Sequence, residues 1–252
     1  MADPEHVLPR ALANRALPAP TSGDNVYGPE RSTRYGELIT APLAGSKLYG
    51  VADEGSYFVA TNPTPLTGIA GIAAADGLDD LEALMFLRNG ASNDKRIYLD
   101  YIALDVITGV GTNGTNVNFA FKGDKGNTRY ASGGSTITPV NTNMGSSRTP
   151  GHDTLKFGAV VCTAATSEAR LLHHARLRTV IKVLGDKYLF TFGRSEPGTI
   201  SGIALEGTAQ ASIQISCPPI VLDPGDSVLM HEFASSQSVA ATYQFSMGFW
   251  VR

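Results

Sequence analysis

Charge is scarce in this chain: Asp, Glu, Lys and Arg make up 17% of its 252 residues, against 42% for the hydrophobic set. The polar surface must therefore rest on Ser, Thr, Asn and Gly, while the apolar share is ample for a sizeable core. The charges also nearly cancel. With a formal net charge of -3, a pI near 5.9 and no cluster of Lys and Arg, the sequence offers phosphate little attraction, and direct nucleic-acid binding is not expected. Apolar runs long enough to span a bilayer, about 18 residues or more, are missing. Met1 to Arg10 (MADPEHVLPR) lacks the apolar stretch of a signal peptide, so synthesis in a cytosol without membrane insertion is expected. Cysteine is nearly missing too. Cys162 and Cys217 both sit inside apolar strand-like runs, where a thiol behaves as a small buried hydrophobe, and no structural disulfide is expected.

Catalytic signatures are equally thin. The chain contains no serine elbow, no phosphate loop ending in Gly-Lys-Ser/Thr, no HExxH helix and no calcium loop. Gly109, Gly111 and Gly114 in GVGTNG have dinucleotide-fingerprint spacing, but TNVNFAFKG after them reads as a strand where the fingerprint needs a helix N-terminus; a glycine-rich hairpin turn is expected. His173 and His174 are adjacent, so on a strand they face opposite ways and do not converge on one metal. His231-Glu232 resembles the strand end of a cupin metal site, yet the second histidine expected two residues on is Phe233. Asp76, Asp79, Asp80 and Glu82 read as a solvated face or a helix start. The reading assigns no catalytic residue, metal ligand or cofactor.

What is present is proline at one end and alternation through the rest. Pro4, Pro9, Pro18, Pro20, Pro29 and Pro42 leave no room for an ordinary helix, so residues 1–45 read as an extended arm. Its arginines, Arg10, Arg15, Arg31 and Arg34, are balanced by Asp3, Glu5, Asp24 and Glu30. That balance argues against a basic packaging tail and fits an arm lying on a neighbouring subunit; a disordered tail is the alternative. Arg31, Arg34 and Tyr35 at the arm's end are the candidate contact residues.

Residues 46–252 read as many short strands between Gly, Asn, Asp and Pro turns, the pattern of an all-β sandwich. In AQASIQIS, Ala209, Ala211, Ile213 and Ile215 alternate with polar residues, and in TYQFSMGFWVR the residues Tyr243, Phe245, Met247, Phe249 and Val251 share one face. In RIYLDYIALDVIT the apolar phase shifts between Leu99 and Ile102, which predicts a β-bulge near Tyr101. A short helix fits LDDLEALMFL, although Ala83 to Leu87 also suits a strand. Pro224-Gly225 predicts a tight turn between strands. The polar stretch at about 123–153 reads as a long exposed loop, functional or subunit-binding.

Through YGELIT, ADEGSYFVATNPTPLTGIAG, KRIYLDYI, RYASGGSTITPVN, GDKYLFTFG and the run from PPIVLDPGD to FWVR, most of residues 35–252 resembles the virion structural proteins of tailed bacteriophages. The resemblance implies a jelly-roll-like antiparallel β-sandwich made in the host cytoplasm and carried on the capsid surface. It further implies a cement, decoration or minor capsid protein, commonly a homotrimer, whose partners are the major capsid protein and its own copies. A head or tail fibre protein recognising a host surface is the alternative reading. The coat protein of a simple icosahedral virus and a glycan hydrolase on a β scaffold are two further ones, disfavoured by the neutral arm and by the lack of a coherent site.

Overall fold

The computed structural model describes residues 47–73, 77–109, 115–126, 128–177, 182–194, 200–204, 211–235, 237 and 239–252. The residues fall into two units, Met1–Gly50 and Val51–Arg252. Residues 1–45, with Arg31, Arg34 and Tyr35, lie outside the described residues. A helix α1 (Lys47–Asp53) leads into the second unit, and Gly55 closes it with a φ of 68° and an N–H donated to the Ala52 carbonyl. No helix among the described residues is long and apolar enough to cross a membrane.

The strands, in chain order, are β1 (Tyr57–Thr61), β2 (Ile69–Ala70), β3 (Glu82–Asn89), β4 (Ile97–Thr108), β5 (Thr115–Asp124), β6 (Tyr130–Thr136), β7 (Val140–Asn141) and β8 (His152–Cys162). They continue as β9 (Arg170–Arg176), β10 (Lys187–Phe192), β11 (Ile200–Ala204), β12 (Ala211–Cys217), β13 (Val221–Leu222), β14 (Ser227–Ser235) and β15 (Thr242–Val251). The larger sheet runs β11-β12-β10-β4-β15-β1-β7, with β13 on β4 and β2 on β15, and the smaller runs β6-β8-β3-β14-β5-β9. The protein is thus an all-β sandwich. Early and late strands are neighbours in both sheets, β1 beside β15 and β3 beside β14, so the chain crosses repeatedly between layers. Pairing is antiparallel except between β10 and β12, because β11 intervenes in the chain and pairs on the outer side of β12.

Alternation sets the core. Tyr243, Phe245, Met247, Phe249 and Val251 of β15 are all buried, as the sequence predicts. Facing them from the smaller sheet is Phe157, stacked on Phe245 with centroids 4.3 Å apart, while Phe121 meets Phe190 edge-on at 5.4 Å. Such pairs add about 0.5–1.5 kcal/mol beyond the area they bury. Cys162 and Cys217 are buried free thiols, and burial pushes them up to about 11 and about 12. The bulge is present as well: Gly248 pairs with Tyr101 and Phe249 with Leu99, which leaves Asp100 unmatched.

Four expectations need correcting. Glu82–Asn89 is strand, not helix; both its faces are covered, and the resulting continuous apolar run imitates a helix segment. Gly109 does not begin a hairpin, since β4 and β5 belong to different sheets; residues 110–114 lie outside the described residues. The stretch 123–153 is not one loop: it contains β6 and β7 and buries Arg129 and Ile137. Its polarity reflects an edge strand with a wet face, where Gly133 and Gly134 adopt φ values of 76° and 66° around a register shift. The parallel β10–β12 pair is the fourth. The Pro224-Gly225 turn does form, with Asp226 N–H donating to Asp223 O at 3.0 Å and Gly225 at φ 89°.

Candidate functional site

The outer faces of the two sheets differ. On the smaller sheet Ala83, Phe86, Val160, Cys162 and Leu229 form a second apolar cluster, closed over by Tyr130. On the larger sheet four aromatic residues, Tyr57, Tyr98, Tyr101 and Trp250, stand among those that alternate with the core. Trp250 of β15 pairs with Tyr57 of β1 on one side and Tyr98 of β4 on the other, so that three aromatic residues lie in one row across adjacent strands. Tyr98 and Trp250 are stacked with nearly parallel rings, their centroids 5.6 Å apart and the interplanar angle 3°.

The bulge at Asp100 enlarges this face. Regular alternation would send Tyr98 and Asp100 outward and Tyr101 inward; the extra residue turns Tyr101 outward too and returns Ile102 to the core. Space for the rings comes from Gly248, where a β-carbon would fall 2.3 Å from Tyr57 Oη and 2.4 Å from Tyr101 Cε1. Tyr101 also shares a hydrogen bond of 3.2 Å with the Ser246 hydroxyl. Beside it, on β10, the Thr191 hydroxyl is buried without a hydrogen-bond partner.

Asp100 ties the patch together. Its carboxylate is buried and accepts from Tyr57 Oη at 2.6 Å, from Arg194 Nε at 3.0 Å and from Arg194 Nη2 at 2.6 Å. Burial first, and then the bond to Asp100, push the Tyr57 phenol far above its ordinary range, while the Asp100 hydrogen bond raises Arg194. The Arg194 side chain remains 46% exposed, so solvent weakens the pair and its guanidinium edge stays accessible. The Asp100 carboxylate is thus engaged by Tyr57 and Arg194, and the Tyr57 phenol is held neutral. Tyrosine, tryptophan and arginine are the side chains that carry most of the energy at protein interfaces.

A second concavity, of about 370 Å³, lies where turns of both sheets meet, lined by Asp124, Lys125, Glu168, Arg170, Asp223 and Asp226 among others. Charges of both signs share it with an apolar wall that includes Leu172, Ile220 and Leu222. No group of three or more His, Cys, Asp or Glu side chains suited to a metal occurs among the described residues. His231 and Glu232 point apart: His231 Nδ1 contacts the Glu82 carbonyl at 2.7 Å, whereas Glu232 accepts from Tyr243 Oη at 2.8 Å. His173 lies near the Phe121 ring and His174 stacks on Phe233, so they do not converge. Asp80 pairs with Lys122 and Asp79 caps the Leu81 N–H; Asp76 lies outside the described residues.

Arg31, Arg34 and Tyr35 lie outside the described residues, and the members of the patch are hidden within strands whose pattern marks their core-facing residues. The chain's single tryptophan, at an outward position of β15, was the available signal. No protein-family model matches the chain, and comparison with curated proteins and with solved structures gives no match.

Proposed function

We propose that this chain is a structural protein of a tailed-phage virion, of cement, decoration or minor capsid type, that binds the outside of the head lattice and reinforces it. The observation that carries the reading is the aromatic and arginine face on the larger sheet, a ready-made interface centre on a sandwich whose strand order suits jelly-roll-like winding. In this reading Tyr98, Tyr101, Trp250 and Arg194 meet the major capsid protein, and the proline-rich arm, through Arg31, Arg34 and Tyr35, reaches a neighbouring copy in a homotrimer. Reinforcement follows because each added subunit buries surface across several coat subunits, and a stable interface needs about 800 Å² per partner. Neither nucleic acid nor membrane is involved.

The Tyr98 and Trp250 rings on this face also suit the flat face of a sugar ring, which favours one alternative: a head or tail fibre protein that recognises a host surface. Particles stripped of the chain and then replenished separate the two. Lost heat or osmotic resistance that returns with the wild-type chain supports reinforcement; unchanged resistance with reduced adsorption to host cells supports the fibre reading.

A further inference from the structure

At one end of the sandwich, in segments without regular structure, Lys182 precedes β10 and Gln237 lies between β14 and β15. Both side chains are buried, and Lys182 Nζ donates to Gln237 Oε1 at 2.9 Å. Glu232 of β14, equally buried, contacts the same ammonium. The Gln237 amide is fixed from its other end, Nε2 donating to the Ile72 carbonyl at 2.9 Å, and the Glu232 carboxylate is fixed by Tyr243 Oη at 2.8 Å. An amine, a carboxamide and a carboxylate thus meet away from water beside the Tyr243 ring, 5.9 Å from Nζ.

We propose that these three residues form an intramolecular isopeptide cross-link between Lys182 Nζ and Gln237 Cδ, with Glu232 as the proton carrier. Burial favours neutral forms over separated ions, and it brings the Lys182 amine down to about 7. Glu232 takes one proton from the ammonium and leaves a nucleophilic amine against the carboxamide. The Nζ–Cδ bond forms; Glu232 then delivers its proton to Nε2 and accepts the second proton from Nζ as the Cδ–Nε2 bond breaks. One ammonia leaves, Glu232 ends protonated, and no oxidant or cofactor is required. Preorganisation supplies the drive, since aligned intramolecular groups reach effective concentrations of about 10⁵ M or more. The bond joins positions 55 residues apart, the entry to β10 in the larger sheet and the exit from β14 in the smaller. This inference does not depend on the virion reading.

Intact mass of the full-length chain under denaturing conditions, followed by peptide mapping, tests it. The expected result is a mass one ammonia below that of the sequence and a branched peptide joining 182 to 237. Glu232→Gln, which keeps both reacting groups, and Lys182→Arg should each restore the full mass. A wild-type chain of full mass, an ammonia loss without a branched peptide, or a branched peptide joining 182 to 232 with loss of water would each overturn the proposal.

Discussion

Gly248 lies beneath the ring of Tyr101, so close that a β-carbon would come within 2.4 Å of Tyr101 Cε1. Because the same carbon would meet Tyr57 Oη at 2.3 Å, and that hydroxyl is tethered to Asp100, the rings cannot both yield freely. Gly248→Ala should therefore disturb the outer face with a cost typical of overpacking, about 1–3 kcal/mol. Urea unfolding gives the cost. Trp250, the only tryptophan, reports the disturbance through its emission; an unchanged spectrum and unchanged stability would contradict this packing.

Tyr57→Phe deletes one donor to a buried carboxylate that retains Arg194. Hydrogen bonds to charged groups contribute about 1.5–3 kcal/mol, and the partly exposed Arg194 lowers the expectation towards the bottom of that range. Asp100→Ala removes the acceptor for both partners and should cost more than Tyr57→Phe. Chemical denaturation of the two variants checks the order.

In the core, Phe157→Ala removes the ring stacked on Phe245 between the sheets. Full burial at this position predicts a loss of about 3–5 kcal/mol. The denaturation midpoint should fall while its slope stays constant.

Stability should decline in acid and again in strong alkali. Burial lowers His152, His173 and His231, so the unfolded chain takes up protons that the folded chain refuses; stability present above about pH 6.5 is lost as pH falls below it. Burial raises Tyr57, Tyr188 and Tyr243, so in alkali the unfolded chain releases protons that the folded chain keeps. These phenols contribute stability that is present below about pH 10 and lost as pH rises, about 4 kcal/mol per pH unit for three such protons, and the buried Cys162 and Cys217 thiols add to the loss from about pH 9. Unfolding free energy measured across pH tests both limbs. Phenolate absorbance should show these tyrosines ionising only on unfolding.

The sandwich was legible wherever one strand face is wet and the other dry, as in β15, where each of the five residues assigned to the core is buried. The bulge could be read because an extra residue shifts the apolar phase between Leu99 and Ile102. Local pattern failed where both faces are covered, as in β3, and where an edge strand is rich in Ser and Gly, as in β6. The aromatic patch escaped for a different reason. Asp100 meets Tyr57 and Arg194 across 43 and 94 residues of sequence, a conjunction created by sheet order and not by spacing.

We propose that the outer face of the larger sheet is where this protein meets the head lattice. An image reconstruction of the intact particle tests it most directly. The sandwich is expected on the outside of the capsid, with Tyr98, Tyr101, Trp250 and Arg194 turned towards the coat subunits. Density for the chain at the tail tip, or on the head with that face open to solvent, would contradict it.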